Sequence, residues 1–269
     1  MIGEAFGAEL FKLWRNRWSL FWAFGFMPVF GLVAGLIEET SVRAYVGDLL
    51  PYANPLRYAY AGLGTTQSSL FQVFAIVGAA ILFAGEYRWE TWRAILLRTD
   101  RTAIMIAKLL LFALAASVSI LASGAGRFLV GLYDAMLTGQ ADAPSEPWLG
   151  LLTGFGGALL QLMLTGALVM LVSVLSRSLM AAIVAPLVIL VAIDLTAIRF
   201  RIETGELWLA ALPNFAGRAI HESGLLLLGE PDAIGVHLAV PGAIAMMLWT
   251  AVLAIFAIVV FQRQDLSRE

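Results

Sequence analysis

The densest group of residues that could do chemistry lies between Gly85 and Lys108. This segment carries five cations and three aromatic side chains, although only 13% of the residues in the chain are charged. Arginine and aromatic side chains often dominate the binding energy of protein interfaces. The segment also lies between two apolar runs that are each long enough to cross a bilayer. It is therefore predicted to be either a surface that binds a partner protein or an ordinary basic loop that orients the flanking spans.

A second candidate is the pair Arg127 and Asp194, since each lies in the outer part of an apolar run. A charge within a membrane is costly and usually faces protein or water. One interpretation is that the two residues pair across the predicted third and fifth spans or line a substrate path. The other is that both lie at the outer interface and extend their charged groups toward water.

Signals for catalysis and cofactor binding are absent from the sequence. The chain has no cysteine and only two histidines, His221 and His237. It contains no metal-binding H-E-x-x-H, no G-x-S-x-G and no phosphate-binding G-x-x-x-x-G-K-[ST] motif. We therefore predict no catalytic, cofactor-binding or metal-binding residue in this chain. The net charge of −2 argues against a nucleic-acid partner.

The elements that must position these residues are membrane helices. Hydrophobic residues make up 61% of the 269 residues, more than one soluble core could bury. A crossing needs about 20 apolar residues. We therefore predict an all-α polytopic fold with one transmembrane domain over residues 1–269. Its six spans are expected at about residues 18–37, 68–85, 103–133, 148–174, 180–198 and 239–261.

The distribution of lysine and arginine predicts the orientation. With both termini in the cytoplasm, 11 of these residues lie inside and 6 lie outside or near the outer face. Residues 4–17 are predicted to form an interfacial helix, with Phe6, Leu10 and Trp14 on its apolar face and Glu9 and Lys12 elsewhere around the turn. Between spans five and six, short apolar runs interrupted by prolines predict re-entrant or interfacial helices.

One stretch of the basic segment carries a family resemblance. Glu86, Thr91, the run Ile95 to Leu97, Arg101 and Lys108 resemble the first cytoplasmic loop of ABC transporter permeases of the type-2 exporter class. Glu90 stands where that loop commonly has glycine, and Thr99 or Asp100 where it commonly has proline. The resemblance extends to the predicted interfacial helix, the six spans, the cytoplasmic termini and the helices between the last two spans.

The resemblance implies a permease subunit that is not itself an enzyme. Two copies of a separate ATPase subunit would bind ATP and Mg, and a second permease protomer, identical or related, would complete the pore in the plasma membrane, the bacterial inner membrane. The cargo would be amphiphilic or hydrophobic, such as a lipid, peptide or drug. The coupling residues would be Glu86, Trp89, Thr91, Trp92, Arg93, Arg98 and Arg101.

Two alternatives stay open at this stage. A secondary transporter would need intramembrane carboxylates, of which Asp194 is one. An integral membrane enzyme acting on lipids would need clustered acids and histidines at one interface. The last outer loop offers Glu203, Glu206, His221, Glu222 and His237.

Overall fold

The fold is helical throughout the part of the chain that the structure describes, which confirms the all-α prediction. The structure is a computed structural model, and it describes residues 2–46, 54–65, 68–88, 100–138, 147–199, 211–229 and 236–264. The α-helices are α1 (Ile2–Arg15), α2 (Arg17–Leu20), α3 (Phe26–Val46), α4 (Pro55–Gly64), α5 (Ser69–Arg88), α6 (Arg101–Thr138), α7 (Pro147–Ser176), α8 (Leu179–Arg199), α9 (Pro213–Leu227) and α10 (Ala239–Arg263). A π-helical turn, Phe21–Gly25, joins α2 to α3, and a 3₁₀ turn, Val236–Leu238, precedes α10.

Within the described residues, five helical stretches are long and apolar enough to cross a membrane, so the chain is an integral membrane protein. They are Arg17–Ser41, Leu70–Tyr87, Arg101–Thr138, Pro147–Ser176 and Val236–Arg263. The predicted fifth span coincides with α8, whose described apolar part, Leu179–Ile193, is shorter. The six-span arrangement, the side of each terminus and the single-domain division therefore remain predictions.

The first span extends past its predicted end at residue 37, because α3 continues to Val46. Pro28 lies near its middle and has no amide hydrogen, so the carbonyl of Phe24 one turn earlier loses its usual helical donor. The hydroxyl of Ser119 on α6 donates to that carbonyl over 2.6 Å instead. Phe24 itself lies in the π-helical turn, as expected where the helical ladder is interrupted.

The connection between the first two predicted spans, which is expected on the outer side, contains a helix, α4, that was not predicted from the sequence. Asn54 begins it, since its side-chain oxygen accepts a hydrogen bond from the amide of Leu56 at 3.0 Å, and Pro55 occupies the first helical position. The helix lies against α6 so closely that a Cβ on Gly62 would be 2.5 Å from the carbonyl oxygen of Ser123. The absence of a side chain at Gly62 thus permits this contact.

Between α8 and α10 the structure places helix α9. Pro213, one of the prolines that interrupt the short apolar runs of this loop, is the first residue of α9, so a helix begins directly at this proline. Proline suits this position, where its missing amide hydrogen costs no helical bond. The indole of Trp249 on α10 donates to the carbonyl of Ala211 at 3.0 Å, just before the helix. Whether α9 re-enters the membrane remains a prediction.

The core lies where α5, α6 and α7 meet. In the apolar window of α5, 61% of residues are buried, compared with 22% in the first and last candidate spans. Phe83, Phe112 and Met170 are fully buried there. The first and last candidate spans instead expose large apolar side chains, such as Phe30 and Phe256, as expected for surfaces that face lipid.

Candidate functional site

Four charged residues form a buried cluster where α1, α5 and α6 meet, here called the charge cluster: Glu9, Lys12, Glu86 and Lys108. The ammonium of Lys108 lies 2.9 Å from Glu9 Oε2 and 2.7 Å from Glu86 Oε1. Its third hydrogen bond goes to the carbonyl oxygen of Leu82 at 2.6 Å. The three N–H donors of this lysine are therefore all used within the protein.

The fourth member closes the cluster from the outside. Lys12 lies 2.6 Å from Glu9 Oε1 and 3.5 Å from Glu86 Oε1. The side chain of Lys12 is 48% exposed and that of Lys108 only 1%. The cluster is therefore accessible to solvent at Lys12 and buried at Lys108. Two acids and two cations give it no net charge.

The helices explain why these residues meet. Glu9 and Lys12 are three residues apart on α1 and so share one face. Glu86 lies in the last turn of α5, and Lys108 lies two turns into α6. The sequence analysis placed Glu9 away from the apolar face of α1, and the structure corrects this, because Glu9 is 5% exposed and turned toward α6. The surface that α1 leaves exposed carries Phe11 and Trp14 instead.

The charges set the protonation of the two α1 residues. Burial raises the pKa of Glu9, but Lys108 and Lys12 together lower it further, so the net pKa lies below the ordinary value of 4.5. Burial lowers the pKa of Lys12, but its hydrogen bond to Glu9 and the charges of Glu9 and Glu86 raise it above the ordinary value of 10.5. Both residues are thus charged at neutral pH, and the ion pairs that tie α1 to the bundle are intact.

A second network joins the start of α6 to the end of α10. Asp100 caps α6, its Oδ2 accepting hydrogen bonds from the amides of Thr102 and Ala103 at 3.1 and 3.2 Å. The next residue, Arg101, lies with Nη1 within 3.1, 3.1 and 2.6 Å of the carbonyl oxygens of Phe261, Gln262 and Gln264. A helix leaves its last carbonyls without partners, and Arg101 supplies donors for those of α10.

Gln264 extends the same network to two more helices. Its side-chain amide donates to the carbonyl of Val174 near the end of α7, and its oxygen accepts from the hydroxyl of Tyr87 at 2.9 Å. The ends of α5, α7 and α10 and the start of α6 are therefore fixed to one another. Sequence reasoning gave no sign of this network, because its partners are about 90 to 180 residues apart.

The predicted coupling residues divide into two groups. Trp89, Thr91, Trp92, Arg93 and Arg98 lie outside the described residues. Glu86 belongs to the charge cluster and Arg101 to the network at the end of α10, so the residues on either side of the predicted coupling segment are bound to the bundle. A direct contact of Glu86 or Arg101 with an ATPase stays a prediction.

Arg127 lies apart from these networks. Its Nη1 is 3.6 Å from Glu38 Oε2 on α3, and its side chain is 25% exposed. The side chain of Asp194 lies outside the described part of the structure, so the predicted pair stays a prediction. Helix α8, which carries Asp194, packs mainly on α5 and α7, whereas Arg127 lies where α6 meets α3 and α4.

Two polar groups occur at the opposite end of the bundle. The hydroxyl of Tyr58 is 3.0 Å from Glu39 Oε2 and 2.8 Å from Asp134 Oδ2, a group that sequence reasoning missed. His221 stacks on Tyr60 with ring centroids 4.8 Å apart. In the described part of the chain no three acids or histidines are grouped so that they could hold a metal ion.

Comparison with known proteins identifies the family. A search of curated proteins found no match. The profile of the family described as ABC-2 family transporter protein matches residues 5–193, about 70% of the chain. That region includes α1, α5 and α6 and hence the whole charge cluster. Proteins of this family generally associate with an ATP-binding subunit. The chain belongs to the ABC-2 transporter family.

Proposed function

We propose that this chain is the transmembrane permease subunit of an ATP-driven exporter, and that a separate ATPase drives it through residues 86–101. The observation that carries the proposal is the anchoring of Glu86 and Arg101 to different parts of the bundle. Glu86 connects to α1 through the buried Lys108. Arg101 connects to the end of α10. A force applied between these residues would therefore reach α1, which directly precedes the first candidate span, and the end of the last candidate span.

The remaining features of the assembly follow from the family and the charge distribution. Two copies of the ATPase, with ATP and Mg, would bind two permease protomers at the cytoplasmic face. Closure of the ATPases on ATP would favour one of two arrangements of the protomers through different contacts at the coupling segment. Both termini would be cytoplasmic, and α8 would be the fifth of six spans in the protomer, in a bacterial inner membrane.

The cargo would be amphiphilic or hydrophobic, such as a lipid, peptide or drug. The candidate spans carry very few charges, so a path along them offers little to compensate an ionic cargo. No described observation favours the secondary transporter or the lipid-acting enzyme. Gln161 and Thr165, on the central helix α7, are neutral and cannot couple transport to protons by changing charge.

The test is co-purification with the ATPase after changing Trp92→Ala and Arg93→Glu together. We expect the ATPase to be lost from the complex and ATP hydrolysis in proteoliposomes to fall, since both residues lie in the predicted contact. The chain supplies a matched control, because Trp14 and Arg15 form the same dipeptide on the exposed part of α1. Trp14→Ala with Arg15→Glu should keep the ATPase. Equal retention, or equal loss, in both variants would contradict the coupling assignment.

A further inference from the structure

An apolar groove opens between the first span and α6. Its volume is about 570 Å³. Its walls come from α1, α2, the π-helical turn, the start of α3 and the middle of α6. The lining residues are Leu10, Leu13, Trp14, Arg17, Leu20, Phe21, Phe24, Gly25, Pro28, Val29, Leu111, Leu114, Ala115, Val118, Ser119 and Ala122. The hydroxyl of Ser119 donates its hydrogen bond to the carbonyl of Phe24. The surface inside the groove is therefore almost entirely hydrocarbon.

One end of the groove is positively charged. Arg17 is the single charged residue among the described residues that line it. Arg15 lies two residues earlier, and both arginines are exposed. Neither forms an ion pair with any described residue. Lys12, by contrast, is held by Glu9 and Glu86 in the charge cluster. The lining of the groove therefore carries one positive charge, that of Arg17, which the described part of the protein does not neutralise.

The dimensions match half of a bilayer. Twelve residues separate Arg17 from Val29, which corresponds to about 18 Å along a helix. One leaflet contributes about 15 Å of a hydrocarbon core that is about 30 Å thick. Trp14 and Trp18 are each 74% exposed at the same end as Arg17, where tryptophan suits the headgroup region. The groove thus runs from one membrane surface to about the midplane.

A second apolar cavity differs from this groove, because it has an apolar lining without a charged residue at its end. It lies between α4, α6 and α7 and has a volume of about 490 Å³. Its described lining residues, which include Leu63, Ala125 and Trp148, are all uncharged. This second cavity can hold hydrocarbon, but it has no cation with which to select a headgroup.

We propose that the groove holds an acyl chain of an anionic phospholipid from the bilayer, with the lipid phosphate bound by Arg17. A guanidinium can form two parallel hydrogen bonds with a phosphate group. The positive charge of Arg17 attracts a lipid of net negative charge and repels the cationic group of a zwitterionic one. Such a lipid would complete the packing between α1, the π-helical turn and α6. The proposed lipid is a bound component of the protein and not its transported cargo, so its binding does not depend on transport activity.

The headgroup is tested by native mass spectrometry of the full-length protein in detergent. The probes are phosphatidylglycerol and phosphatidylcholine with identical acyl chains. We expect about fivefold stronger binding of phosphatidylglycerol, the contribution of one arginine near a membrane surface. Arg17→Gln should abolish the preference. Arg263→Gln, at an exposed arginine that ends α10, should retain it. Equal binding of the two lipids by the unchanged protein would overturn the proposal.

The groove itself is tested by filling it. Ala122 lines this groove and Ala125 lines the second cavity, and both are exposed on α6. Ala122→Trp should remove the preference for phosphatidylglycerol, whereas Ala125→Trp should keep it. The comparison uses variants whose thermal unfolding midpoints match that of the unchanged protein. The proposal fails if Ala122→Trp keeps the preference, since the lipid then binds elsewhere. The proposal also fails if the unchanged protein is a dimer without bound lipid and Ala122→Trp dissociates that dimer. A second copy of the chain, and not a lipid, would then fill the groove.

Discussion

Lys108 joins two acids that come from different helices. Its ammonium is almost fully buried and contacts Glu9 on α1 and Glu86 on α5. Taking charged groups out of water is costly, so a buried ion pair is weak evidence for stability in itself. Removal of one partner of such a pair is strongly destabilising, however, because the other charge then stays buried without a partner. The charge cluster therefore acts mainly to define where α1 sits.

Replacing Lys108 should be strongly destabilising. Lys108→Met leaves Glu9 and Glu86 without their buried cation and with only the half-exposed Lys12 between them, which we expect to cost about 3–5 kcal/mol. The midpoint of thermal unfolding in detergent measures the loss. Lys12→Met is the control, because Lys12 is half exposed and its removal should cost far less. Adding Glu9→Gln to Lys108→Met should recover part of the loss. Equal destabilisation by the two lysine variants would contradict the claim that the charge of Lys108 is more deeply buried than that of Lys12.

Acid should release α1. The folded pKa of Glu9 is lowered below 4.5, so its stabilising contribution is complete above that pH and is lost as the pH falls through the folded value. We expect little change in unfolding midpoint from pH 7 to about pH 5 and a decrease below about pH 4. In Glu9→Gln this acid-dependent decrease should be smaller. An unchanged acid profile in that variant would show that other carboxylates control the transition.

At the scale of single elements, the first span depends on a hydrogen bond from its neighbour. Ser119→Ala leaves the buried carbonyl of Phe24 without its donor, because Pro28 cannot supply one. The expected cost is about 1–3 kcal/mol, measured as a fall in unfolding midpoint. Ser117→Ala should be nearly neutral, since Ser117 donates to Ala113 in its own helix, whose ladder already uses that carbonyl.

The same bond permits a rescue experiment. Pro28→Ala restores an amide hydrogen opposite the carbonyl of Phe24. The variant carrying both Pro28→Ala and Ser119→Ala should therefore be less impaired than Ser119→Ala alone. Strictly additive effects of the two substitutions would show that Ser119 and Pro28 do not share this carbonyl.

The elements differ in how far the sequence could predict them. Residues 103–133 were predicted as a span, and α6 runs over Arg101–Thr138, because a long apolar run with only two charged residues leaves few alternatives. Helix α4 was missed because ten residues with moderate hydrophobicity resemble a loop. The inward position of Glu9 was also missed. A helical pattern assigns residues by polarity and does not reveal that Lys108, 99 residues later, would be its partner.

At the scale of the whole molecule, α6 exceeds the membrane. Its 38 residues extend about 57 Å, compared with a hydrocarbon core of about 30 Å. Near its start it carries Lys108 of the charge cluster, and toward its end it carries Arg127 and Asp134. The helix thus connects the polar groups at the two ends of the bundle, and it packs along its length against α4 and α3.

The topology that the charge distribution predicts can be tested directly, since the chain has no cysteine. Asp142→Cys should react with a membrane-impermeant maleimide added to intact cells. Ser267→Cys should react only after the membrane is permeabilised, because both termini are expected inside. Labelling of both positions from the outside would exclude the arrangement with cytoplasmic termini.

The charge cluster also determines what amine-directed reagents can report. The chain contains two lysines, and both belong to the cluster. Lys108 is shielded, and Lys12 is held protonated by its carboxylate partners. Acylating reagents attack the neutral amine, so both lysines should react slowly while α1 is docked. Separation of α1 from the bundle would expose both amines. Side-chain acylation therefore measures the docking of α1 in the unmodified protein, without an introduced probe.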